Sequence, residues 1–187
     1  MTRDRDRKKR NWRAEYRPYI IAATLAIILF VLVAPALARG NEMADAIEAG
    51  DIVIIDRETY SERRGLPDYG DIVAFKRDYF DGGDETKNHY RMSRIVGLPG
   101  DTIEIKDGAI YRNGKALKRE VYEPAETESG EMNGPVSLKD DEVFVLSDNR
   151  AEGIDSRRKA VGPRTLDELR GRVAFRIWPL KRFGFVE

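Results

Sequence analysis

The chain has 187 residues, carries 33 Lys and Arg against 33 Asp and Glu, and contains no cysteine. That length allows one modest domain with appendages, and the missing thiols exclude disulfides, thiolate chemistry and cysteine-based zinc sites. Zero net charge conceals a basic start, with eight Lys/Arg against three Asp/Glu in residues 1–18 and 25 against 30 in the remainder.

An uncharged apolar run follows the basic stretch, which argues against a nucleic-acid-binding tail. Residues Tyr19 to Ala38, YIIAATLAIILFVLVAPALA, would span about 30 Å as a helix, the thickness of a bilayer's hydrocarbon core. A basic cluster before such a segment keeps the N-terminus in the cytoplasm. The expected order is a cytoplasmic tail at 1–18, a single transmembrane anchor at 19–38 and an extracytoplasmic β domain at 39–187. Ala36-Leu37-Ala38 also has the small-x-small form of a signal-peptide cleavage site, and Pro35 is placed to end the helix just before it. Composition leaves both readings open, an uncleaved anchor and a cleaved leader.

Beyond residue 50 the apolar residues come in short β-branched groups bounded by turn formers. DIVIIDR (51–57), GDIVAFKR (70–77), RIVGLPGD (94–101), DTIEIKDGAIYRNGKAL (101–117), DEVFVLSDNR (141–150) and GRVAFRIWPL (171–180) are the strand candidates. In the fourth, Ile103 and Ile105 alternate with polar residues, Lys106-Asp107-Gly108 makes a tight reversal and Asn113-Gly114 makes a second. Residues 77–89 and 123–135 are polar and rich in turn formers, and read as solvated loops. One short helix is expected at 165–170, where Thr165 and Glu168 have capping-box spacing. The domain is predicted to be mainly β.

Four segments, taken in order, resemble the type I signal peptidases, membrane-anchored serine proteases that use a Ser/Lys dyad to remove signal peptides. GNEMADAIEAGD (40–51) is similar to the nucleophile segment Ser-x-Ser-Met-x-Pro-Thr-Leu followed by Gly-Asp. YGDIVAFK (69–76) resembles the Gly-Asp-Ile-Val-x-Phe strand, and SRIVGLPGD (93–101) resembles Lys-Arg-x-Ile/Val-Gly-Leu-Pro-Gly-Asp. SDNRAEGIDSR (147–157) resembles Gly-Asp-Asn-Arg-x-x-Ser-x-Asp-Ser-Arg, and GRVAFRIWPLKRFG (171–184) resembles the last strand. The likeness covers residues 19 to 184 and favours the uncleaved anchor. It implies a signal-peptidase-like β domain on one N-terminal transmembrane helix.

A Ser/Lys hydrolase needs a hydroxyl beside an amine that burial keeps neutral. It also needs donors aimed at the developing oxyanion, worth about 3–4 kcal/mol each. The resemblance places Glu42 at the nucleophile position, Ser93 at the general-base position, Gly40 at the oxyanion serine and Gly153 at the serine that orients the lysine. None of the four keeps its residue type, and the Pro-Thr after the nucleophile is Asp45-Ala46. The scaffold persists: Asp148, Asn149 and Arg150 match, with Ser147 in place of the leading Gly, and so do Asp155, Ser156 and Arg157. The resemblance implies that Asp155 and Arg157 form a structural pair.

Two uses of Glu42 and Ser93 are open. They exchange roles, Ser93 attacking with Glu42 as its base, or Glu42 hydrogen-bonds Ser93 and fills the old site. An ordinary carboxylate with a pKa of about 4.3 is a poor match for a serine proton, so the second is the more economical.

His89 lies in a polar loop and reads as a surface histidine. Asp81 to Asp84 lacks the ligand spacing of a calcium loop. Neither a metal nor a cofactor is expected. The resemblance implies a groove for an extended peptide, with Asn41, Met43, Tyr90, Arg91 and Met92 as its binding residues. Signal-peptidase-like proteins without the dyad accompany pilus operons of Gram-positive bacteria, which implies pilin subunits and a sortase as partners at the membrane exterior. The competing expectation is an active signal peptidase with non-standard catalytic residues.

Overall fold

The computed structural model describes residues 12–44, 46–57, 59–60, 65–76, 90–117 and 126–186. Asp45, the expected loop at 77–89 with Asp81 to Asp84 and His89, and residues 123–125 lie outside them. The chain divides into two units at Leu32/Val33.

The first unit is helix α1, Trp12–Leu32. The anchor expected at 19–38 therefore needs correcting at its C-terminal end: Val33–Leu37 is a strand, β1. Pro35 has no N–H to continue a helix, and it is tolerated here because β1 is the edge strand of its sheet. The uncharged part of α1, Tyr19 to Leu32, is left with about 21 Å at 1.5 Å per residue, against about 30 Å for a hydrocarbon core. Among the described residues no helix is long and apolar enough to cross a membrane.

The second unit is β throughout, with strands β2 (Ile52–Asp56), β3 (Ile72–Lys76), β4 (Tyr90–Gly97), β5 (Thr102–Lys106), β6 (Ala109–Arg112), β7 (Lys115–Ala116), β8 (Val136–Ser137), β9 (Glu142–Leu146), β10 (Arg164–Thr165), β11 (Leu169–Trp178) and β12 (Gly184–Phe185). Among the described residues one sheet has the order β1-β2-β11-β3-β4-β9-β10, with β12 also on β11. A second has the order β7-β6-β5-β8. The mainly β expectation holds, and each of the six strand candidates overlaps at least one strand. The helix expected at 165–170 is only a 3-10 turn, Leu166–Glu168. The Thr165 N–H does donate to Glu168 Oε2 (2.9 Å), but Leu169 already belongs to β11.

Period-two patterning explains the layers. In β2, Val53 and Ile55 are fully buried while Ile52, Ile54 and Asp56 are half-buried. Val53 and Ile55 pack with Ala38, Met43, Ile47, Ile72, Ala74 and Met92 in one cluster. The opposite face of β3 and β4 sends Val73, Phe75 and Ile95 into a second cluster with Val143 and Val145. Each such side chain contributes about 1.5–3 kcal/mol by leaving water. In the second sheet the reversals fall where Asp-Gly and Asn-Gly occur. Asp107 and Asn113 both have positive φ (52° and 53°), as two-residue hairpin turns require.

Three Gly-Asp pairs share one construction. The backbone N–H groups of Glu48, Asp68 and Leu98 donate to the carboxylates of Asp51, Asp71 and Asp101 at 2.9–3.0 Å. The N–H of each Asp returns a bond to the carbonyl of the same partner. Each Asp carboxylate thus closes its own turn, and the preceding glycine takes positive φ (82° at Gly100). Gly171 is a different case. It sits at a register shift of β11, and a Cβ there would lie 2.2 Å from the Asp56 carbonyl oxygen. Only glycine lets β11 shift its register against β3 while passing this close to the β2 backbone at Asp56.

Candidate functional site

The site forms where the chain leaves β1 and turns beside β4. Ala38 is fixed at both backbone groups, donating to Asp51 O and accepting from Gly50 N at 2.8 Å each. A turn follows, closed by Ala44 N to Asn41 O (3.1 Å) and Ile47 N to Met43 O (2.7 Å). Met43 and Ile47 are buried beneath it and hold it to the core. From the other side the Asn149 N–H donates to the Glu42 carbonyl (3.0 Å). Residue 42 is therefore held by an apolar anchor, a turn and a neighbouring loop.

A cavity of about 160 Å³ opens here, lined by Leu37, Ala38, Arg39, Gly40, Glu42, Met43, Ile47, Tyr90, Arg91 and Met92. Six of the residues expected at the site (Gly40, Glu42, Met43, Tyr90, Arg91 and Met92) come together in it. Asn41 does not: it is exposed and absent from the lining. No Ser, Thr, Cys, Lys or His is among these lining residues. Beside the cavity, β4 pairs with β3 from Tyr90 to Arg94, whereas its pairing with β9 begins only at Arg94. Among the described residues no strand pairs with Tyr90 to Ser93 on that second edge.

The expected bond between Glu42 and Ser93 is not formed. Glu42 Oε1 accepts from the Arg91 guanidinium, with side-chain exposures of 25% and 5% for Glu42 and Arg91. Ser93 is completely buried, and its Oγ has no hydrogen-bond partner among the described residues. The exchanged-role reading therefore lacks its nucleophile–base contact as well. Strand geometry supplies the reason: Arg91 and Ser93 share a face of β4, about 6.6 Å apart along the strand. The long guanidinium reaches the carboxylate, and a charge-assisted bond is stronger than one to a neutral hydroxyl. The sequence reading had Arg91 as a peptide-binding residue and missed it as the partner of Glu42, although its period-two relation to Ser93 was there to be counted.

Gly153 and Ser147 explain one another. A Cβ on Gly153 would lie 2.4 Å from the Ser147 Cβ and 2.7 Å from its Oγ. The Ser147 side chain thus occupies the space that a side chain at 153 would need. Ser147 Oγ is also buried without a partner among the described residues.

The loop bearing these residues is tightly built. Asp155 is fully buried and takes both Arg157 Nε (2.8 Å) and Arg157 Nη2 (2.9 Å), as the expected structural pair. Asp155 also accepts from the Ser147 N–H (3.0 Å), and Arg157 Nη2 donates to the Arg150 carbonyl (2.8 Å). Burial lowers the Arg150 pKa to about 10, and its guanidinium donates to the Ser147 carbonyl. Arg94 ties the loop to the sheet, holding Asp148 through Nε (2.9 Å) and Nη2 (2.7 Å) and reaching the Gly70 carbonyl (3.0 Å). Arg94 lies in the matching segment SRIVGLPGD, but its partner was not foreseen, since 54 residues separate it from Asp148.

A turn and a strand edge meet at this cavity, and the Asp-Asn-Arg loop reaches it through the bond from Asn149 N–H to the Glu42 carbonyl. The chain belongs to the signal peptidase family, peptidase S26, whose profile matches residues 11–178. It is 28% identical to a signal peptidase I of Bacillus caldolyticus over 99% of both chains. It is 31% identical to a probable signal peptidase I-2 of Synechocystis sp., covering all of this chain and 84% of that one. A crystal structure of a signal peptidase I from Enterococcus faecalis matches with 26% identity and a TM-score of 0.43, covering 58% of this chain and 97% of that one.

Proposed function

We propose that this protein holds an extended peptide in the groove beside Glu42 without cutting it, as a pilin-binding assembly factor acting with a sortase at the membrane exterior. The observation that carries the reading is the lining of the cavity. An amide link is opened by an activated nucleophile, and Glu42 here is engaged by Arg91 while the nearby Ser93 hydroxyl is buried away from it. The edge of β4 that no described strand pairs offers main-chain hydrogen bonds to an added strand, and the apolar wall of Ala38, Met43, Ile47 and Met92 offers a pocket for its side chains. The membrane part of the proposal is supported by α1, where Tyr19, Ile20, Leu25 and Ile27 are 60–70% exposed and need an apolar cover.

The test is incubation of the full-length chain with a preprotein carrying a small-x-small cleavage site. The natural protein leaves it intact. A variant with Gly40→Ser, Glu42→Ser, Ser93→Lys, Ser147→Gly and Gly153→Ser restores the residue types of the Ser/Lys site and is the comparison. The second reading, an active signal peptidase, is favoured by the relatives' names. Turnover by the natural protein would establish it.

A further inference from the structure

We propose that Asn133 is a self-modification site, where the chain converts slowly to aspartate and isoaspartate through a cyclic imide, while the fold protects the second Asn-Gly pair from the same reaction. The two pairs are Asn113-Gly114 and Asn133-Gly134. The chemistry needs a backbone nitrogen that can swing onto the preceding side-chain amide carbon, and glycine leaves that approach open because it has no Cβ. The Gly134 nitrogen forms a bond to Asn133 Cγ, the Cγ–Nδ2 bond breaks, and ammonia leaves with the Gly134 amide proton. Water then opens the imide at either carbonyl. One opening gives aspartate, and the other gives isoaspartate, in which the main chain runs through the side-chain carbon. Nothing is oxidised or reduced, and the reaction needs no peptide in the groove.

The structure separates the two pairs. Asn113 has positive φ in the turn from β6 to β7, and both ends of its amide are held. Its Oδ1 accepts from the Thr102 N–H (2.8 Å), and its Nδ2 donates to Asp101 Oδ1 (2.7 Å). To react, Asn113 must release a backbone bond and a charge-assisted bond and open a hairpin. Asn133 is exposed, in irregular backbone just before β8. Neither its side chain nor the Gly134 N–H has a hydrogen-bond partner among the described residues. Gly134 has a φ of 139°, and a Cβ there would meet nothing within 4 Å, so this segment has room to rotate. Its flanks are pinned. The Glu131 N–H donates to the Arg157 carbonyl (3.0 Å), Glu131 Oε2 accepts from the Lys159 N–H (2.8 Å), and Val136 pairs with Ile103. Isoaspartate lengthens the main chain between these anchors and adds a carboxylate. The modification therefore falls on the strap that joins the second sheet to the loop of Asp155 and Arg157.

The experiment ages the full-length protein in detergent at mildly alkaline pH and follows both pairs in the same sample by peptide mapping and mass spectrometry. Isoaspartate is read independently by labelling with an isoaspartyl methyltransferase. Asn133 is expected to convert at least about fivefold faster than Asn113 in the folded protein, the equivalent of the two side-chain bonds that Asn113 must release. In concentrated urea, where those bonds are gone, the two rates are expected to converge. Asn133→Gln, at an exposed position, is expected to leave the fold intact and remove most of the methyltransferase label. A smaller ratio in the folded protein, or no conversion at Asn133, overturns the inference. So does a ratio that urea leaves unchanged, or a label that survives Asn133→Gln at full strength.

Discussion

Restoring a serine at position 153 is expected to destabilise the protein unless Ser147 is changed with it. Gly153 does not occupy the left-handed region, so the cost comes from packing and not from its backbone. The new Cβ would meet the Ser147 Cβ at 2.4 Å, its Oγ at 2.7 Å and the Asn149 carbonyl oxygen at 3.0 Å. Carbon atoms sit comfortably at about 3.5–4.0 Å. A rotamer change cannot relieve the first contact, because backbone geometry places both Cβ atoms. The Ser147 backbone is itself held by Asp155 at its N–H and by Arg150 at its carbonyl. Overpacking of this kind costs about 1–3 kcal/mol, and each kcal/mol lowers Tm by about 2–4 °C in a chain of this size.

Ser147→Gly deletes the offending Cβ together with a buried hydroxyl that has no partner among the described residues, so the double variant is expected close to the natural protein. The coupling between the two changes is then about 1–3 kcal/mol in the favourable sense. Urea unfolding followed by circular dichroism, run on both single variants and the double, measures it. If the two changes add to within about 0.5 kcal/mol, the steric account of this pair is wrong.

Asp155→Asn leaves the Arg157 guanidinium without its carboxylate in the interior and is expected to cost about 3–5 kcal/mol, whereas Lys139→Ala at the exposed Lys139–Glu142 pair is expected to leave the melt essentially unchanged, both read by thermal melts. Arg94→Lys cannot hold Asp148 with two bonds while reaching Gly70 O. It is expected to weaken peptide binding by loosening the loop that donates to Glu42 O, with a stability cost of about 1–3 kcal/mol in urea. Burial and then the Asp71 carboxylate push the Tyr60 phenol above its ordinary pKa of about 10. The unfolded chain therefore loses this proton first. The stability it confers is complete below about pH 10 and is lost as pH rises toward the folded value. Urea midpoints from pH 8 to 11 should fall less steeply in Tyr60→Phe.

Much of the domain was legible in the residues themselves. A run of β-branched residues marks β2, alternating apolar positions mark β5, and Asp-Gly and Asn-Gly mark the hairpin turns of β5 to β7. These are local interactions, so local sequence determines them. The ordered motifs also located the groove, because Gly40, Glu42 and Met43 line one cavity with Tyr90, Arg91 and Met92. What needed the tertiary structure were contacts between residues far apart in the chain. Edge pairing with β2 turns Val33–Leu37 into strand β1, where hydropathy alone reads the end of a membrane helix. Glu42 meets Arg91 rather than Ser93 because side-chain length and charge decide among neighbours that only folding brings together. Ser147 and Gly153 show the same limit: each looks like an isolated loss in the sequence, and only their shared space makes them a single exchange.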